Sequence, residues 1–247
     1  MPSGTNTIKF IAKTAVPYGR TVTYGNMVCD IRPQKKETHR VRLTVGGDKV
    51  EYPGDVSTPT SDLTTAKCLI NSILSTPKAK GLCIDVKDFY LNTDMDRYEY
   101  MRIKVEIIPQ EIMEQYELEK LACGGWVYIE IQKGMYGLPQ AGKLANDKLK
   151  AYLALFGYHP TKHTPGLWRH ESRDITFALT VDNFFIKYTD ARDANHLLDT
   201  LKQQYTISKD WYATLYCGVT LNWDYVKRTC TLSMPGYVQE ALNSFQH

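Results

Sequence analysis

The sequence lacks long hydrophobic runs, paired cysteine motifs and the histidine spacings typical of zinc sites. No apolar run approaches the roughly 20 residues of a membrane-spanning helix, so we expect no membrane partner. The six cysteines are scattered without CxxC spacing, which argues against a zinc finger or a disulfide framework. No hydrophobic leader follows Met1. We therefore expect reduced thiols in a cytoplasmic or nuclear protein that is not secreted.

The composition is that of a globular chain. Its 247 residues are 43% hydrophobic, which is enough to form the core of one large domain or two small ones. The formal net charge of +3 is a mild basic excess. It permits a polyanionic partner without requiring one.

Residues 175–188 read ITFALTVDNFFIKY and predict a β-hairpin. Two runs rich in β-branched and aromatic residues, 175–181 and 184–188, are typical of strands. Asp182 and Asn183 separate these runs and tolerate left-handed backbone angles, so we place the turn there. The acid at the tip has two explanations: Asp-Asn is a good turn, or Asp182 is a metal ligand. The second explanation requires another carboxylate elsewhere in the chain.

A second carboxylate occurs within the sequence LCIDV, where Asp85 interrupts an apolar run. The run predicts a buried strand. A lone Asp in such a strand is costly unless it is hydrogen-bonded or bound to a cation. Taken together, Asp85 and Asp182 favour a metal site.

The N-terminal region, residues 8–50, predicts a small β-rich lobe with a basic segment. Six basic residues fall within eleven positions: Arg32, Lys35, Lys36, His39, Arg40 and Arg42. This density suits phosphate contacts, but it also suits a solvated sheet edge that deters aggregation. The composition of the segment leaves both interpretations open.

The remaining pattern alternates helices with strands. Helical spacing predicts helices after Ser61, over 109–122, from the glycine-rich turn 133–142 to 156, over 191–205 and from 236. Strands are predicted over 126–131, 214–223 and 230–234. The glycine-rich turn leads into a helix N-terminus, which favours a phosphate or another anion. The order of elements predicts a mixed α+β fold, with an antiparallel sheet and helices on one face.

Several blocks in this order resemble the reverse transcriptase domain of the Pol polyprotein of copia-type long-terminal-repeat retrotransposons. The blocks are RVRLTVGG, CIDVKDFYLNT, YEYMRI, KGMYGLPQAG, LTVDNF, YCGVTLNW and LSMPGYVQEAL, and the resemblance covers residues 8–245. It implies an RNA-directed DNA polymerase, a nucleotidyltransferase with a right-hand fold. The implied parts are partial fingers over residues 1–60, a ferredoxin-like palm with finger insertions over 61–213, and primer-grip-like strands with the start of a thumb over 214–247.

The same resemblance implies partners and a location. The partners are an RNA or DNA template–primer and dNTPs. The ribonuclease H and integrase segments of the Pol polyprotein are missing from this chain. The expected location is a cytoplasmic virus-like particle or the nucleus.

The resemblance assigns catalysis to Asp85, Asp182 and Asn183. It implies that Asp85, Val86 and Asp182 hold two Mg²⁺ ions, for which Mn²⁺ can substitute. Carboxylate oxygens are the hard ligands that magnesium prefers. Two such ions stabilise the attacking 3′-oxygen and the leaving pyrophosphate in phosphoryl transfer.

The resemblance also assigns a nucleotide pocket. Tyr90 matches the bulky residue that excludes a 2′-hydroxyl, although it also fits a plain sheet aromatic. Gln140 matches the glutamine that touches the incoming nucleotide. The backbone of Asp88 and Phe89 matches the segment beside the triphosphate.

For the basic segment, the resemblance favours phosphate contacts. Arg42 matches the position where the fingers place a cation over the triphosphate. Arg40 is a second candidate for that role.

The sequence departs from the family at the hairpin tip, which normally carries two adjacent aspartates. Asn183 replaces the second aspartate and removes a negative charge, so we expect weaker metal binding and lower activity. Two alternatives stay open. One is a catalytically dead nucleic-acid-binding module, whose bases would stack on some of the 17 tyrosines. The other is a decayed retroelement fragment without activity.

Overall fold

The computed structural model describes residues 4–31 and 38–245. The first seven strands are β1 (Ile8–Ile11), β2 (Val22–Ile31), β3 (His39–Val45), β4 (Lys80–Val86), β5 (Asp94–Lys104), β6 (Trp126–Lys133) and β7 (Tyr158–Pro160). The other seven are β8 (Leu167–His170), β9 (Ile175–Thr180), β10 (Asn183–Tyr188), β11 (Ile207–Asp210), β12 (Leu215–Tyr216), β13 (Val219–Asp224) and β14 (Thr229–Ser233). The helices are α1 (Leu63–Ser75), α2 (Gln110–Gln115), α3 (Ala141–Ala154), α4 (Ala191–Lys202) and α5 (Pro235–Ser244).

The chain forms two compact units. Unit 1 contains Met1–Thr58 and Tyr90–Asp147, and unit 2 contains Pro59–Phe89 and Lys148–His247. Helix α3 begins in the first and ends in the second. The division into fingers, palm and thumb at residues 60 and 213 stays a prediction.

Unit 1 is built on a five-stranded sheet with the order β1-β6-β5-β2-β3. Strands β2 and β5 are parallel, whereas the other neighbours are antiparallel. Alternation along β5 and β6 brings Met101, Ile129 and Ile131 into the core, where each is fully buried. The helix predicted over 109–122 is much shorter, because α2 ends at Gln115 and Glu117 adopts a left-handed φ of 49°.

Unit 2 is built on a six-stranded sheet with the order β11-β4-β10-β9-β8-β7. All of its neighbouring strands are antiparallel, so the predicted antiparallel sheet is confirmed here. Three of its strands escaped prediction: β7 and β8 are short and rich in polar residues, and β11 has only four residues.

Helices cover both faces of this sheet, so the prediction of helices on one face was wrong. On one face, Leu69 and Ile73 of α1 pack in a core cluster with Cys83 and Phe185. On the other, α4 contacts the sheet through His196, whose Nδ1 lies 2.9 Å from the Tyr158 hydroxyl. The reason lies in β4, where consecutive apolar residues are buried and therefore need cover on both faces.

The N-cap residue of helix α1 lies one position after the predicted cap, Ser61. The Asp62 carboxylate, and not Ser61, accepts a hydrogen bond from the Thr65 amide at 2.6 Å. Asp190 caps α4 in the same way by accepting from the Arg192 amide. Carboxylates at helix N-termini also interact favourably with the helix dipole.

A three-stranded sheet of β12, β13 and β14 follows in unit 2. The strand predicted over 214–223 is broken by a two-residue turn, Cys217-Gly218. Both turn residues have positive φ, 47° and 82°, as a type I′ hairpin requires. Among the described residues, no helix is long and apolar enough to cross a membrane.

Candidate metal and nucleotide sites

Two sequence-predicted acids meet at one end of the unit 2 sheet. Asp85 on β4 lies directly opposite Asn183 on β10. The Val86 amide donates to the Asp182 carbonyl at 3.0 Å. The pairing of two neighbouring strands therefore brings Asp85, Asp182 and Asn183 together, although they are about 100 positions apart in the sequence.

The hairpin turn lies one residue before its predicted place. Thr180 pairs with Asn183, so Val181 and Asp182 form the turn and Asn183 is the first residue of β10. Val181 takes the left-handed angle, with φ of 58°. This conformation is unfavourable for a β-branched residue, by about 1–2 kcal/mol. The strand pairing thus holds the acidic tip in a strained backbone.

The local chemistry differs from the buried acid that the sequence suggested. Asp85 is exposed to solvent at the strand end, so the expected cost of burying a lone carboxylate does not arise. The Asn183 Nδ2 donates to Asp182 Oδ1 at 2.9 Å. Asn183, where the resemblance predicts a second aspartate, is therefore in direct contact with Asp182.

A cysteine that sequence reasoning left unassigned lies near these acids. Burial raises the pKa of the Cys217 thiol, and the carboxylates of Asp182 and Asp85 raise it further, which keeps the thiol neutral. The residue as a whole is exposed, although desolvation is the main cause of its raised thiol pKa. Next to it, the Thr180 and Tyr216 hydroxyls are 2.9 Å apart. The β12–β13 turn therefore adjoins the acidic end of the sheet.

The oxygen donors at this end suit magnesium, but they carry one negative charge fewer than three carboxylates would. Two carboxylates and one amide oxygen are hard oxygen donors. No group of three or more His, Cys, Asp or Glu side chains suited to a metal ion occurs within residues 4–31 and 38–245. With Asn183 in the third position, the site has a formal charge of −2.

Unit 1 holds a cationic and aromatic cluster around two of the predicted nucleotide residues. The Arg42 guanidinium lies 5.6 Å from the centre of the Tyr136 ring. That ring meets the Tyr90 ring edge-on, with centroids 5.1 Å apart. Arg42 also forms a long ion pair with Asp30 at 3.4 Å, and its Nε is buried without a hydrogen-bond partner. Tyr136 thus links Arg42 with Tyr90.

Gln140 lies in a buried polar network of unit 1. Its side chain is fully buried, and its Nε2 donates to Glu99 Oε1 at 3.2 Å. Arg20 and Arg97 each form an ion pair with Glu99 at 2.9 Å. The Gln140 Oε1 is buried and has no hydrogen-bond partner. One end of the Gln140 amide is therefore held by Glu99 while the other end remains an unsatisfied acceptor.

A comparison with protein families shows which family the chain belongs to. The model of the family described as reverse transcriptase (RNA-dependent DNA polymerase) matches residues 28–246. The chain belongs to this reverse transcriptase family. Its mixed α+β architecture is consistent with a reverse transcriptase domain, and the matched segment includes Asp85, Gln140, Asp182 and Asn183.

This member of the reverse transcriptase family carries its predicted site residues in both units. Asp85, Val86, Asp88, Phe89, Asp182 and Asn183 are in unit 2, and Arg40, Arg42, Tyr90 and Gln140 are in unit 1. Asp88 follows β4 with a left-handed φ of 54°, and Phe89 is buried with its ring 6.1 Å from that of Tyr205.

The basic segment is described only in part. Arg40 lies opposite Asp30 in the β2–β3 pair. Arg32, Lys35 and Lys36 lie outside the described residues.

Sequence reasoning missed two residues that organise unit 1. Glu99 could have been found from alternation, because it shares a strand face with Met101 and Ile103, which are buried. Tyr136 stands in the glycine-rich block KGMYGLPQAG, which drew attention to its glycines and to Gln140 instead.

Proposed function

We propose that this reverse transcriptase adds dNTPs to a primer 3′-hydroxyl under the direction of an RNA or DNA template. The observation that carries the proposal is the register of β4 and β10, which brings Asp85 opposite Asn183 and next to Asp182. Asp85 is exposed at the end of its strand, and Asp182 and Asn183 are partly buried next to it. A cation site at the open end of a sheet accounts for them.

In the proposal, Asp85 and Asp182 hold two Mg²⁺ ions, with Val86 beside them and Mn²⁺ as a substitute. The ions would neutralise charge on the attacking 3′-oxygen and on the leaving pyrophosphate. The strained turn at Val181 keeps Asp182 at the strand end, and the β4–β10 pairing keeps Asp85 beside it. The protein's own part is therefore to fix two carboxylates in advance of substrate binding.

On the nucleotide side, Tyr90 would exclude a 2′-hydroxyl, and Gln140 and Arg42 would contact the dNTP. Support comes from the Tyr90–Tyr136–Arg42 cluster and from the unsatisfied Oε1 of Gln140. An arginine that already interacts with an aromatic ring keeps its charge available for phosphate. The backbone of Asp88 and Phe89 would lie beside the triphosphate.

Asn183 sets the expected level of activity. It offers a neutral amide in place of a carboxylate, and its Nδ2 occupies an oxygen of Asp182. Loss of one preorganised electrostatic group costs on the order of 10²-fold in rate. We therefore propose a polymerase that is folded and impaired.

The source we propose is a copia-type retrotransposon, in which the chain would be part of a Pol polyprotein inside a cytoplasmic virus-like particle. Fingers over residues 1–60, a palm over 61–213 and the start of a thumb from 214 are proposed on the same resemblance. Ribonuclease H and integrase segments would act with it.

One observation favours a second candidate, a nucleic-acid-binding module without catalysis. The Asn183–Asp182 hydrogen bond uses an oxygen that a cation would need. Such a module would bind polynucleotide with strong salt dependence and without any requirement for Asp85.

Primer extension tests the proposal. The parent, Asn183→Asp and Asp85→Ala proteins are compared on a homopolymer RNA template with Mg²⁺ or Mn²⁺. We expect Asn183→Asp to extend primers about 10²-fold faster than the parent, because it restores the missing charge. Asp85→Ala is the control and should be inactive.

Two outcomes would contradict the proposal. Extension by Asp85→Ala at the parental rate would overturn the metal site. Failure of every variant to extend, although all fold and bind primer–template, would overturn the polymerase proposal and leave the binding module.

A further inference from the structure

A small pocket lies in unit 2 at the far end of β4 from the acids. It has a volume of about 250 Å³ and is bounded by the C-terminal end of α1, the loop that follows it and the turn between β13 and β14. Its polar lining residues are Thr76, Lys78, Lys80, Tyr225 and Arg228, and none of its lining residues is acidic. We call this space the Lys78 pocket.

Two exposed cations come to the Lys78 pocket from separate loops. Lys78 lies in the loop after α1, and Arg228 lies in the turn before β14. Neither forms an ion pair with any residue that the structure describes. Lys80 adds less, because strand alternation puts its side chain on the face of Leu82, whereas α1 packs on the face of Cys83. The pocket therefore carries positive charge without a counter-charge.

A third cation lies behind one wall of the pocket. Lys187 of β10 is partly buried, and its Nζ donates to Ser72 Oγ at 2.8 Å and to Thr76 Oγ1 at 2.7 Å. Thr76 lines the pocket. No carboxylate within residues 4–31 and 38–245 forms an ion pair with this ammonium. A partly buried charge whose described partners are hydroxyls favours an anion nearby.

The backbone holds both exposed cations in an unfavourable conformation. Lys78 has a φ of 64° and Arg228 a φ of 54°. Lysine and arginine are uncommon in this left-handed region. The Ala79 amide donates to the Thr76 carbonyl at 3.2 Å, which closes a turn with Pro77 second and Lys78 third, and glycine is the usual residue with positive φ in that third position. Strained residues of this kind cluster at ligand-binding positions.

Tyr225 forms a fixed wall of the pocket. Its hydroxyl accepts a hydrogen bond from the Gly81 amide at 3.2 Å, and its ring stacks on Trp223 with centroids 5.5 Å apart. The hydrogen bond ties the turn that carries Arg228 to the start of β4. The pocket is therefore organised before a ligand binds, which lowers the entropic cost of binding.

We propose that the Lys78 pocket binds a compact phosphate anion, such as inorganic phosphate or pyrophosphate. Lys78 and Arg228 would contact the oxygens of the anion. The Thr76 hydroxyl would donate to it, because its oxygen already accepts from Lys187 and its hydrogen is left to donate. Lys187 would add its charge from behind Thr76.

The size and position of the pocket separate this anion from a polymerase substrate. A volume of about 250 Å³ is below the roughly 300–1,000 Å³ of sites for drug-sized ligands, so the pocket suits a phosphate group better than a whole nucleotide. Two cations at one small pocket suit one compact anion, whereas a polynucleotide needs cations repeated along a surface. Asp85 lies five positions after Lys80 on β4, which corresponds to roughly 17 Å. The pocket is thus a second site, and its ligand does not depend on the proposed function.

The test measures binding of inorganic pyrophosphate by isothermal titration calorimetry. The buffer contains no divalent metal ion, so that the anion cannot bind through a metal at Asp85. The double variant Lys78→Gln/Arg228→Gln is matched with Lys67→Gln/Arg169→Gln, which removes the same charge from exposed positions elsewhere in unit 2. Lys67 and Arg169 likewise form no ion pair in the part of the chain that the structure describes.

We expect the parent to bind one pyrophosphate per chain and the pocket variant to bind it about tenfold more weakly or worse, because hydrogen bonds to a charged group are lost. The matched variant should bind like the parent. The variant Lys78→Gly/Arg228→Gly should also lose affinity. Its melting temperature should nevertheless not fall, because glycine adopts both φ values without strain.

The proposal is overturned if the parent binds no pyrophosphate, or if the pocket variant and the matched variant bind it alike. Full affinity in Lys78→Gly/Arg228→Gly would overturn it as well. A fluorescein-labelled DNA duplex that needs Lys78 and Arg228 for binding, when pyrophosphate does not bind, would show a polynucleotide site instead. Asp85→Ala, which should lose primer extension, should bind pyrophosphate like the parent, so the proposed function can fail while the pocket stands.

Discussion

Two strands of this protein each place an acid between apolar or aromatic residues, and these two acids have opposite surroundings. Asp85 on β4 of unit 2 is exposed, although its neighbours Ile84 and Val86 are buried. Glu99 on β5 of unit 1 is 3% exposed and is held by Arg20 and Arg97.

The difference teaches how to interpret an acid in an apolar strand. A buried acid needs internal partners, and Glu99 has two arginines and the Gln140 amide. An exposed acid at a strand end is solvated by water and needs no internal partner. We therefore assign Glu99 to the structure of unit 1, and binding of a metal ion by Asp85 stays a proposal.

The largest expected effect is the difference in unfolding free energy between a variant of Glu99 and a variant of Asp85. We expect Glu99→Ala to lower the free energy of unfolding by about 2–3 kcal/mol, because two arginines and Gln140 lose their partner. This is less than the roughly 3–5 kcal/mol for a fully buried pair, since both arginines are partly exposed. Asp85→Ala should change it by less than about 0.5 kcal/mol. Urea unfolding measures both.

A control replaces the two arginines whose charges Glu99→Ala leaves without a partner. Arg20→Met and Arg97→Met in the Glu99→Ala background should recover much of the loss, because apolar groups of similar size replace unpaired cations. A larger loss for Asp85→Ala than for Glu99→Ala would contradict the comparison.

The strained turn beside Asp85 should give a smaller effect. Val181→Gly is expected to stabilise unit 2 by about 1 kcal/mol, because glycine adopts the φ of 58° without strain. Val226→Gly is the matched control, since Val226 is 96% exposed and has no positive φ. It should be neutral or destabilising by up to about 1 kcal/mol. Equal effects of the two substitutions on thermal unfolding would refute strain at Val181.

The smallest expected effect is a loss of stability of unit 2 in mild acid. Burial lowers the pKa of His170 and of His196 in unit 2, and the Arg173 charge lowers both further, while Asp193 opposes this. The unfolded chain then binds more protons near pH 6 than the folded chain. Stability is therefore complete above the ordinary histidine pKa of about 6.5 and falls as the pH drops through it.

The measurement is the urea midpoint of unit 2 between about pH 7.5 and 5.5, followed by fluorescence of its tryptophans. His196→Gln should reduce the loss at low pH. A midpoint that is unchanged in the parent over this range would exclude a neutral histidine pair in the folded protein.

Much of the fold could be predicted because its main strands and helices carry clear periodicity. Residues 175–188 form the predicted hairpin, and LCIDV forms β4. The turn was misplaced by one residue, since pairing of Asn183 with Asp85 sets the register and local turn preference does not. Antiparallel pairing could be inferred from element order, whereas helices on both faces could not.

The candidate site was predictable only where the acids stand in recognisable blocks. Asp85 and Asp182 could be paired from their sequence surroundings, but the exposure of Asp85 depends on its position at the end of β4. The partners of Glu99 depend on which elements become neighbours, which a linear pattern does not contain.

The most direct test of the central claim is Mn²⁺ binding, measured from the electron paramagnetic resonance signal of the free ion. The parent, Asp85→Ala, Asn183→Asp and Glu99→Gln proteins are titrated at constant pH. We predict binding that is lost in Asp85→Ala, tightened in Asn183→Asp and unchanged in Glu99→Gln. Binding that is unaffected by Asp85→Ala, or that disappears in a folded Glu99→Gln protein, would contradict the assignment of the exposed acid to the metal and of the buried acid to the fold.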